Sequence, residues 1–557
     1  MKVSELMNSR FDRLRGFPFD AVLIAAVCIV PYFFLIRRLG FNLADGGFLW
    51  YGTMHTALGE VPMRDFQSYD PGRYYWGALW IKILGDGGIL SVRFNYAAFQ
   101  FIGIVLGLSI LRQRVLKSWW ALAAAGLVIW MWIGVYESVI MISAIYFAVL
   151  LIERPSNFRH FIAGVFVGLA AFFGRNNGLY CAVAFSALIL FIWLRIDRRK
   201  LPVRLCLWLL GVIIGYLPML VMIALIPGFL HAVIEGITFN LYVARRLPLA
   251  VPWPWRPDYS HLSWEWSALA FGYGMLYLLV PISYIVAGIH LLNTRRDLRQ
   301  KAVLIACVFV GLAFLDYTFS RASFAYMATT IQPALIGLIA LPAAFNQRYK
   351  KVLTIGAWTF ILLVSRATAW TGKWSTYVGP LKAMVHAKVV ERYHGDYDLA
   401  YREYGFVRTD IGGDDLWIDT ATAKTIDDVK NLVSQKLAPN EDVLIAPIWP
   451  GFYQILHKKS PVWEIYFLFP QPRGKQEEMI ADLERKNVNW AIICNWPLDG
   501  RDDLRFSNTH AYMWQYLMEK FEHVDTDLLP AECQLRQKIQ RQGEMPRPDH
   551  SPADVTH

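Results

Sequence analysis

Charge is scarce in this sequence. Only 18% of its 557 residues are Asp, Glu, Lys or Arg, against about 25% in an ordinary soluble protein. A wholly water-exposed globule of this length is therefore excluded. Cysteine is scarce too. Of six, Cys28, Cys181, Cys206 and Cys307 lie in apolar runs, and only Cys494 and Cys533 lie in polar sequence. Those two can pair if their part of the chain faces an oxidising compartment. No C-x-x-C or H-x-x-x-H spacing occurs, so no metal-ligand set is assigned. No internal repeat is visible. The first apolar run has no small-residue cleavage site and leads into an aromatic loop, so it reads as a retained span and not a removed signal.

Apolar sequence is abundant. Hydrophobic residues make up 55% of the chain and the mean hydropathy is +0.33. They gather in runs of about twenty, the length that crosses a bilayer core. The +11 formal charge is unevenly spread. Residues 372–557 hold 22 Lys and Arg against 28 Asp and Glu, a net of −6, which leaves +17 on the rest. Basic loops beside anionic lipid explain that excess, and nucleic acid is not needed.

About eleven spans are predicted, near 19–36, 90–111, 119–134, 138–152, 161–173, 179–194, 205–226, 267–292, 302–315, 326–345 and 352–369. Every dense basic loop then falls on one side: Arg112–Lys117, Arg154–Arg159, Arg195–Arg204, Arg295–Lys301 and Arg348–Lys351. That side is cytoplasmic by the positive-inside tendency, with the N-terminus inside and the C-terminus outside. The fold class expected is a polytopic α-helical membrane protein with a C-terminal extracytoplasmic α/β domain. Residues 1–370 form the membrane part, with a first outer loop at 37–89. Residues 371–540 form the outer domain, with short buried strands at 443–446 and 490–494 and amphipathic helices near 426–435 and 476–486. The polar, proline-rich end, 541–557, is expected to be disordered.

The first outer loop carries the chemistry. Residues 42–73 hold Asp45, Glu60, Arg64, Asp65, Asp70 and Arg73 among many aromatics. The topology sets Arg175 and Arg321 on the same outer side, each in a very short turn between spans. An arginine at the bilayer rim is costly and normally has a partner. A lipid phosphate suits its planar fork. Lipid-headgroup anchoring, or an ion pair with Asp45, Glu137 or Asp316, remains the alternative. Asp45 precedes Gly46-Gly47 and can cap the helix beginning there, or act as a base toward a hydroxyl. Arg64-Asp65-Phe66 reads as a locally paired element and Asp70-Pro71-Gly72 as a turn. Arg64, Asp65, Asp70, Arg73, Asn176, Glu235 and Arg245 are secondary candidates for substrate contacts. His55 and His261 read as structural or interfacial.

The loop LADGGFLWYGTMHTALGEVPMRDFQSYDPGRYYWGALW, with FFGRNNGLYCAVA and FSRASFAYMATTIQP, resembles segments of GT-C superfamily membrane glycosyltransferases. These include protein O-mannosyltransferases, aminoarabinose transferases and bacterial relatives. The resemblance implies an inverting transfer of a sugar from a polyprenyl-phosphate donor to a hydroxyl acceptor (glycan, lipid or protein) outside the cytoplasmic, inner membrane. It implies Asp45 as the catalytic acidic residue, with Arg175 and Arg321 on the donor phosphate. Many members carry an Asp-Glu pair where this chain has Asp45-Gly46. A second acidic ligand is therefore missing, and a divalent metal, though possible in such enzymes, has no support here. A transporter or flippase for a lipid-linked or anionic substrate, or an inactive assembly subunit, are the other readings. The clean spans and one-sided charges favour the enzyme.

Overall fold

A computed structural model describes residues 19–243, 249–294, 297–345, 347–371 and 405–539. The chain divides into two compact units, Met1–Phe41 with Leu49–Thr420, and Asn42–Phe48 with Ala421–His557. The expected boundary near 371 and the expected disordered tail lie in or beside residues outside those described.

In chain order the helices are α1 (Phe19–Ile36), α2 (Asp45–Ala57), α3 (Pro71–Leu84), α4 (Ile89–Arg114), α5 (Trp119–Trp132), α6 (Tyr136–Glu153), α7 (Asn157–Phe173), α8 (Arg175–Arg195), α9 (Leu201–Gly215), α10 (Leu217–Leu225), α11 (Phe229–Val243), α12 (Trp264–Asn293), α13 (Ala302–Ser320), α14 (Phe324–Thr330), α15 (Gln332–Ala344) and α16 (Gln347–Thr371). A helix or bent pair stands at each of the eleven expected spans. Fewer qualify as membrane-crossing. Among the described residues six helices, α1, α4, α6, α8, α12 and α13, are long and apolar enough, or eight spans if the bent pairs α9–α10 and α14–α15 each count as one. The bends are 53° and 45°. α5 and α7 fall short at 14 and 17 residues. By length and composition the described residues thus hold six to eight helices that qualify, a multi-pass arrangement, against the about eleven spans expected.

α6 is the central helix, with 72% of its span buried, whereas α1 has only 22% buried. Ile142, Ile145, Ala148 and Ile152 of α6 join Ile104 and Leu108 of α4, Phe185 and Ile189 of α8, and Ile305 of α13 in one apolar core. α7 and α9 approach most closely. Gly164 and Gly168 face Gly211 and Gly215, two G-x-x-x-G pairs. A Cβ on Gly164 would strike the Trp208 carbonyl, and one on Gly215 the Val165 carbonyl. Helices in lipid associate through such close backbone contact, not through apolar burial. Gly164→Leu should therefore force α7 from α9 and cost roughly 1–3 kcal/mol. The check is a lowered apparent unfolding temperature in detergent. Leu169→Ala, on the exposed side of α7, is the control and should leave that temperature nearly unchanged.

The first unit also carries an antiparallel hairpin, β1 (Phe406–Ile411) and β2 (Asp414–Asp419). The Trp417 N–H donates to Arg38 O and the Gly40 N–H to Trp417 O, both at 2.7 Å. Asp414 Oδ2 accepts the Leu90 N–H at 2.9 Å, at the start of α4. Burial pushes the Asp414 carboxyl up, and the Leu90 N–H partly offsets it. The hairpin therefore ties the exit of α1 to the entry of α4.

The second unit holds α17 (Thr420–Lys436), β3 (Val443–Ala446), α18 (Gly451–Ile455), α19 (Arg473–Arg485), β4 (Trp490–Cys494), α20 (Phe506–Thr509), α21 (Ala511–Lys520), β5 (Phe521–Val524) and β6 (Cys533–Lys538). Its sheet order is β3-β4-β6-β5, with β3 and β4 parallel and the other pairings antiparallel. β3 and β4 are buried throughout, as their unbroken apolar runs require. Cys494 and Cys533 stand opposite each other in the β4–β6 register and form a disulfide.

Candidate functional site

Asp45 is the first residue of α2 and is exposed. It does not stand outside the helix as a cap. The turn before it closes on Asn42, whose Oδ1 accepts the Ala44 N–H at 2.7 Å and whose carbonyl accepts the Gly47 N–H at 2.9 Å. A carboxylate at a helix N-terminus meets the positive end of the dipole. Residues 42–48 belong to the second unit. Leu43 O accepts the Gly451 N–H at 3.1 Å. A Cβ on Gly47 would press against the Gly451 backbone, so only glycine permits this approach. Tyr466 then donates its hydroxyl to Asp45 Oδ1 at 3.0 Å and packs its ring against Phe48, centroids 5.4 Å apart and tilted by 33°. The segment bearing Tyr466 is anchored two residues earlier. There Glu464 Oε2 lies 3.2 Å from His510 Nε2, both side chains essentially fully buried. The Phe467 N–H completes the anchor by donating to Pro447 O at 2.8 Å.

Two other charged candidates of the first loop, Asp70 and Arg73, stand at a corner in the first unit, where α3 meets the ends of three helices. Asp70 precedes α3 but does not cap it with its side chain. Its Oδ2 accepts the Arg175 N–H at 2.9 Å, and Oδ1 lies 2.7 Å from Arg175 Nε. Gly174, which precedes α8, has no side chain to cap that helix. Asp70 supplies the missing acceptor from 105 residues away. Asp70 is thus an ion-pair partner, where a turn was expected. Arg175 opens a helix, where a loop position was expected. Its partner is Asp70 and not Asp45, Glu137 or Asp316.

Arg73 works in the opposite sense. Its Nε donates to Phe173 O, the last residue of α7, at 2.8 Å, and Nη2 meets Glu137 Oε1 at 2.5 Å in the first turn of α6. Its guanidinium also sits over the Tyr69 and Tyr136 rings at 5.1 and 4.8 Å. Each charge matches a helix end: cation at the C-terminus of α7, carboxylates at the N-termini of α6 and α8. Gly72 allows the contact, because a Cβ there would lie 2.7 Å from Phe172 O. Arg73 therefore serves as a structural clamp.

Arg175 keeps unused capacity. Its Nη1 is buried without a hydrogen-bond partner among the described residues, and Gly236 of α11 lies over it. Asn177, buried and with Oδ1 likewise without a hydrogen bond, sits in this corner, whereas the expected Asn176 is exposed. Arg321 follows α13 and is half-buried. Arg64 grips Asp65 through two hydrogen bonds at 2.7 and 2.9 Å, and Asp65 accepts the Val61 N–H, so this pair holds its own loop. Glu235 lies 3.3 Å from His231 on α11. Arg245 lies outside the described residues. Among those described, no three His, Cys, Asp or Glu side chains gather as around a metal ion.

The chain is similar to a solved oligosaccharyltransferase. That structure is the archaeal enzyme AglB from Archaeoglobus fulgidus, in complex with an inhibitory peptide and a dolichol-phosphate. Identity is 14%, the match covers 96% of this chain and 77% of that one, and the TM-score is 0.40. No family model matches the chain, and neither does any curated protein. At that level of overlap, function has to be argued from this chain's own side chains.

Proposed function

We propose that this protein is a multi-pass membrane glycosyltransferase. It moves a sugar from a polyprenyl-phosphate carrier to a hydroxyl acceptor on the outer side of the cytoplasmic membrane. The acceptor oxygen bonds to the anomeric carbon as the bond from that carbon to the phosphate oxygen breaks. The acceptor proton passes to Asp45, and the lipid phosphate leaves with the electron pair. A single displacement of this kind inverts the anomeric centre. Arg175 stabilises the departing phosphate through its unused Nη1, with Arg321 as a second cation. The Cys494–Cys533 disulfide supports an oxidising, extracytoplasmic location for the second unit, and the basic loops support a cytoplasmic N-terminus.

The observation that carries this reading is the Asp45 carboxylate, exposed at a helix start with one oxygen oriented by Tyr466. The test is transfer from a labelled polyprenyl-phosphate sugar by purified protein, wild type against Asp45→Asn. The phosphate assignment has its own measurement. Arg175→Gln should weaken donor binding roughly 10- to 100-fold, the range for a lost hydrogen bond to a charged group. Asp70→Asn breaks the ion pair but keeps the guanidinium, and should leave donor affinity within about twofold. Equal losses in both variants would reduce Arg175 to a structural residue.

A further inference from the structure

Two tryptophans of the second unit stand at the carboxyl ends of its parallel strands. Trp449 follows β3 and Trp496 follows β4. Both are half-buried, and their rings pack 5.2 Å apart at 57°. Ligands of parallel α/β sheets collect outside these strand ends. Each tryptophan precedes a proline, Pro450 and Pro497, which confines its backbone to a narrow range. The flanking chain is pinned as well. The Phe467 N–H holds Pro447 O, the Asn495 N–H donates to Glu532 O at 3.0 Å, and Arg505 Nη1 donates to Asn495 O at 2.5 Å. The disulfide fixes Cys494, the last residue of β4. Two large apolar rings are thus held in place without being sealed into the core. Among the described residues beside the rings, two arginines are neutralised locally, Arg501 by Asp503 at 2.5 Å and Arg505 by Asp502 at 2.8 Å, so no cation there is left to recruit an anionic ligand. An uncharged ligand with a flat apolar face fits such a platform. A pyranose ring, with its C–H face, is that kind of ligand.

The platform adjoins the turn that carries Asp45. A Cβ on Gly47 would lie 3.5 Å from the Pro450 carbonyl carbon, next to Trp449. We infer that Trp449 and Trp496 form the acceptor subsite and that the acceptor is a neutral glycan. This inference rests on the glycosyl-transfer reading for its biological sense, but its physical content is separate from it.

The test uses the full-length protein in detergent and a panel of neutral hexose di- to tetrasaccharides. Binding is followed by tryptophan fluorescence and by saturation transfer to the sugar ring protons. At least one member of the panel should bind saturably. Trp496→Ala and Trp449→Ala should each weaken that binding about tenfold, and Trp496→Phe, which keeps an aromatic face, about threefold. Disulfide integrity and an unchanged unfolding temperature in Trp496→Phe guard against a folding defect. Normal turnover by Asp45→Asn would remove the catalytic base and leave the platform standing. No saturable binding, unchanged affinity in both alanine variants, or preference for a serine-containing peptide over every sugar would overturn the platform.

Discussion

Asp45→Asn should lower turnover by roughly 10²- to 10⁴-fold, the usual contribution of a positioned general base. The leaving group here is already a phosphate, which needs no protonation, so most of the acid–base demand falls on the acceptor hydroxyl. Asparagine keeps the size of the side chain and can still accept from Tyr466, so the local fold should persist. Donor affinity should change by less than about threefold, because the carboxylate is not among the groups proposed to hold the phosphate. Single-turnover kinetics with labelled donor separate the two quantities. Tyr466→Phe supplies the companion variant. It removes a hydroxyl 3.0 Å from Asp45 Oδ1 but leaves the ring on Phe48. Its effect should be smaller, on the order of one hydrogen bond, or about 0.5–1.5 kcal/mol. Wild-type turnover in Asp45→Asn would remove the base, and no turnover in any protein would favour the non-enzymatic readings.

Some of this was legible in the sequence and some was not, for reasons of range. The strands 443–446 and 490–494 reappear with unchanged bounds, because a fully buried strand is a continuous apolar run. The helices 426–435 and 476–486 reappear as Thr420–Lys436 and Arg473–Arg485, extended mainly at their N-terminal ends. Their apolar stripe marks the buried centre better than the solvated ends. The Arg64–Asp65 pairing was also visible, since the two are adjacent. Tyr466 was invisible as a partner of Asp45, because 421 residues separate them and neither position has a local signature. Asp70 was misjudged for a related reason. Asp-Pro-Gly is a turn signal, and it does precede a helix, but the carboxylate serves a different helix. Arg175 showed that a rim arginine needs a partner. Only the folded chain shows that Asp70 occupies one edge of it. The difference between about eleven expected spans and the six to eight helices that qualify has another source: α5 and α7 carry the expected apolar runs on helices of only 14 and 17 residues, which hydropathy counts and helix length does not.

The largest stability effect should come from the Arg73 corner. Arg73→Met should cost about 3–5 kcal/mol, the range for removing one member of a buried ion pair. The side chains of Arg73 and Glu137 are only 15% and 14% exposed. Removing the guanidinium leaves the Glu137 carboxylate without its counter-charge and the Phe173 carbonyl without its donor. Two helix ends then lose their common anchor. Glu137→Gln should cost less, because the amide oxygen still accepts from Arg73 and the guanidinium keeps the Phe173 carbonyl and the Tyr69 and Tyr136 rings. The double variant Arg73→Met with Glu137→Met should be less destabilised than the two single effects summed, since neither partner is left unpaired. Detergent-denaturation curves of the four proteins measure this cycle. A coupling below about 0.5 kcal/mol would mean that the pair is solvated like a surface salt bridge, and the clamp would then reduce to the Arg73 hydrogen bond at the end of α7.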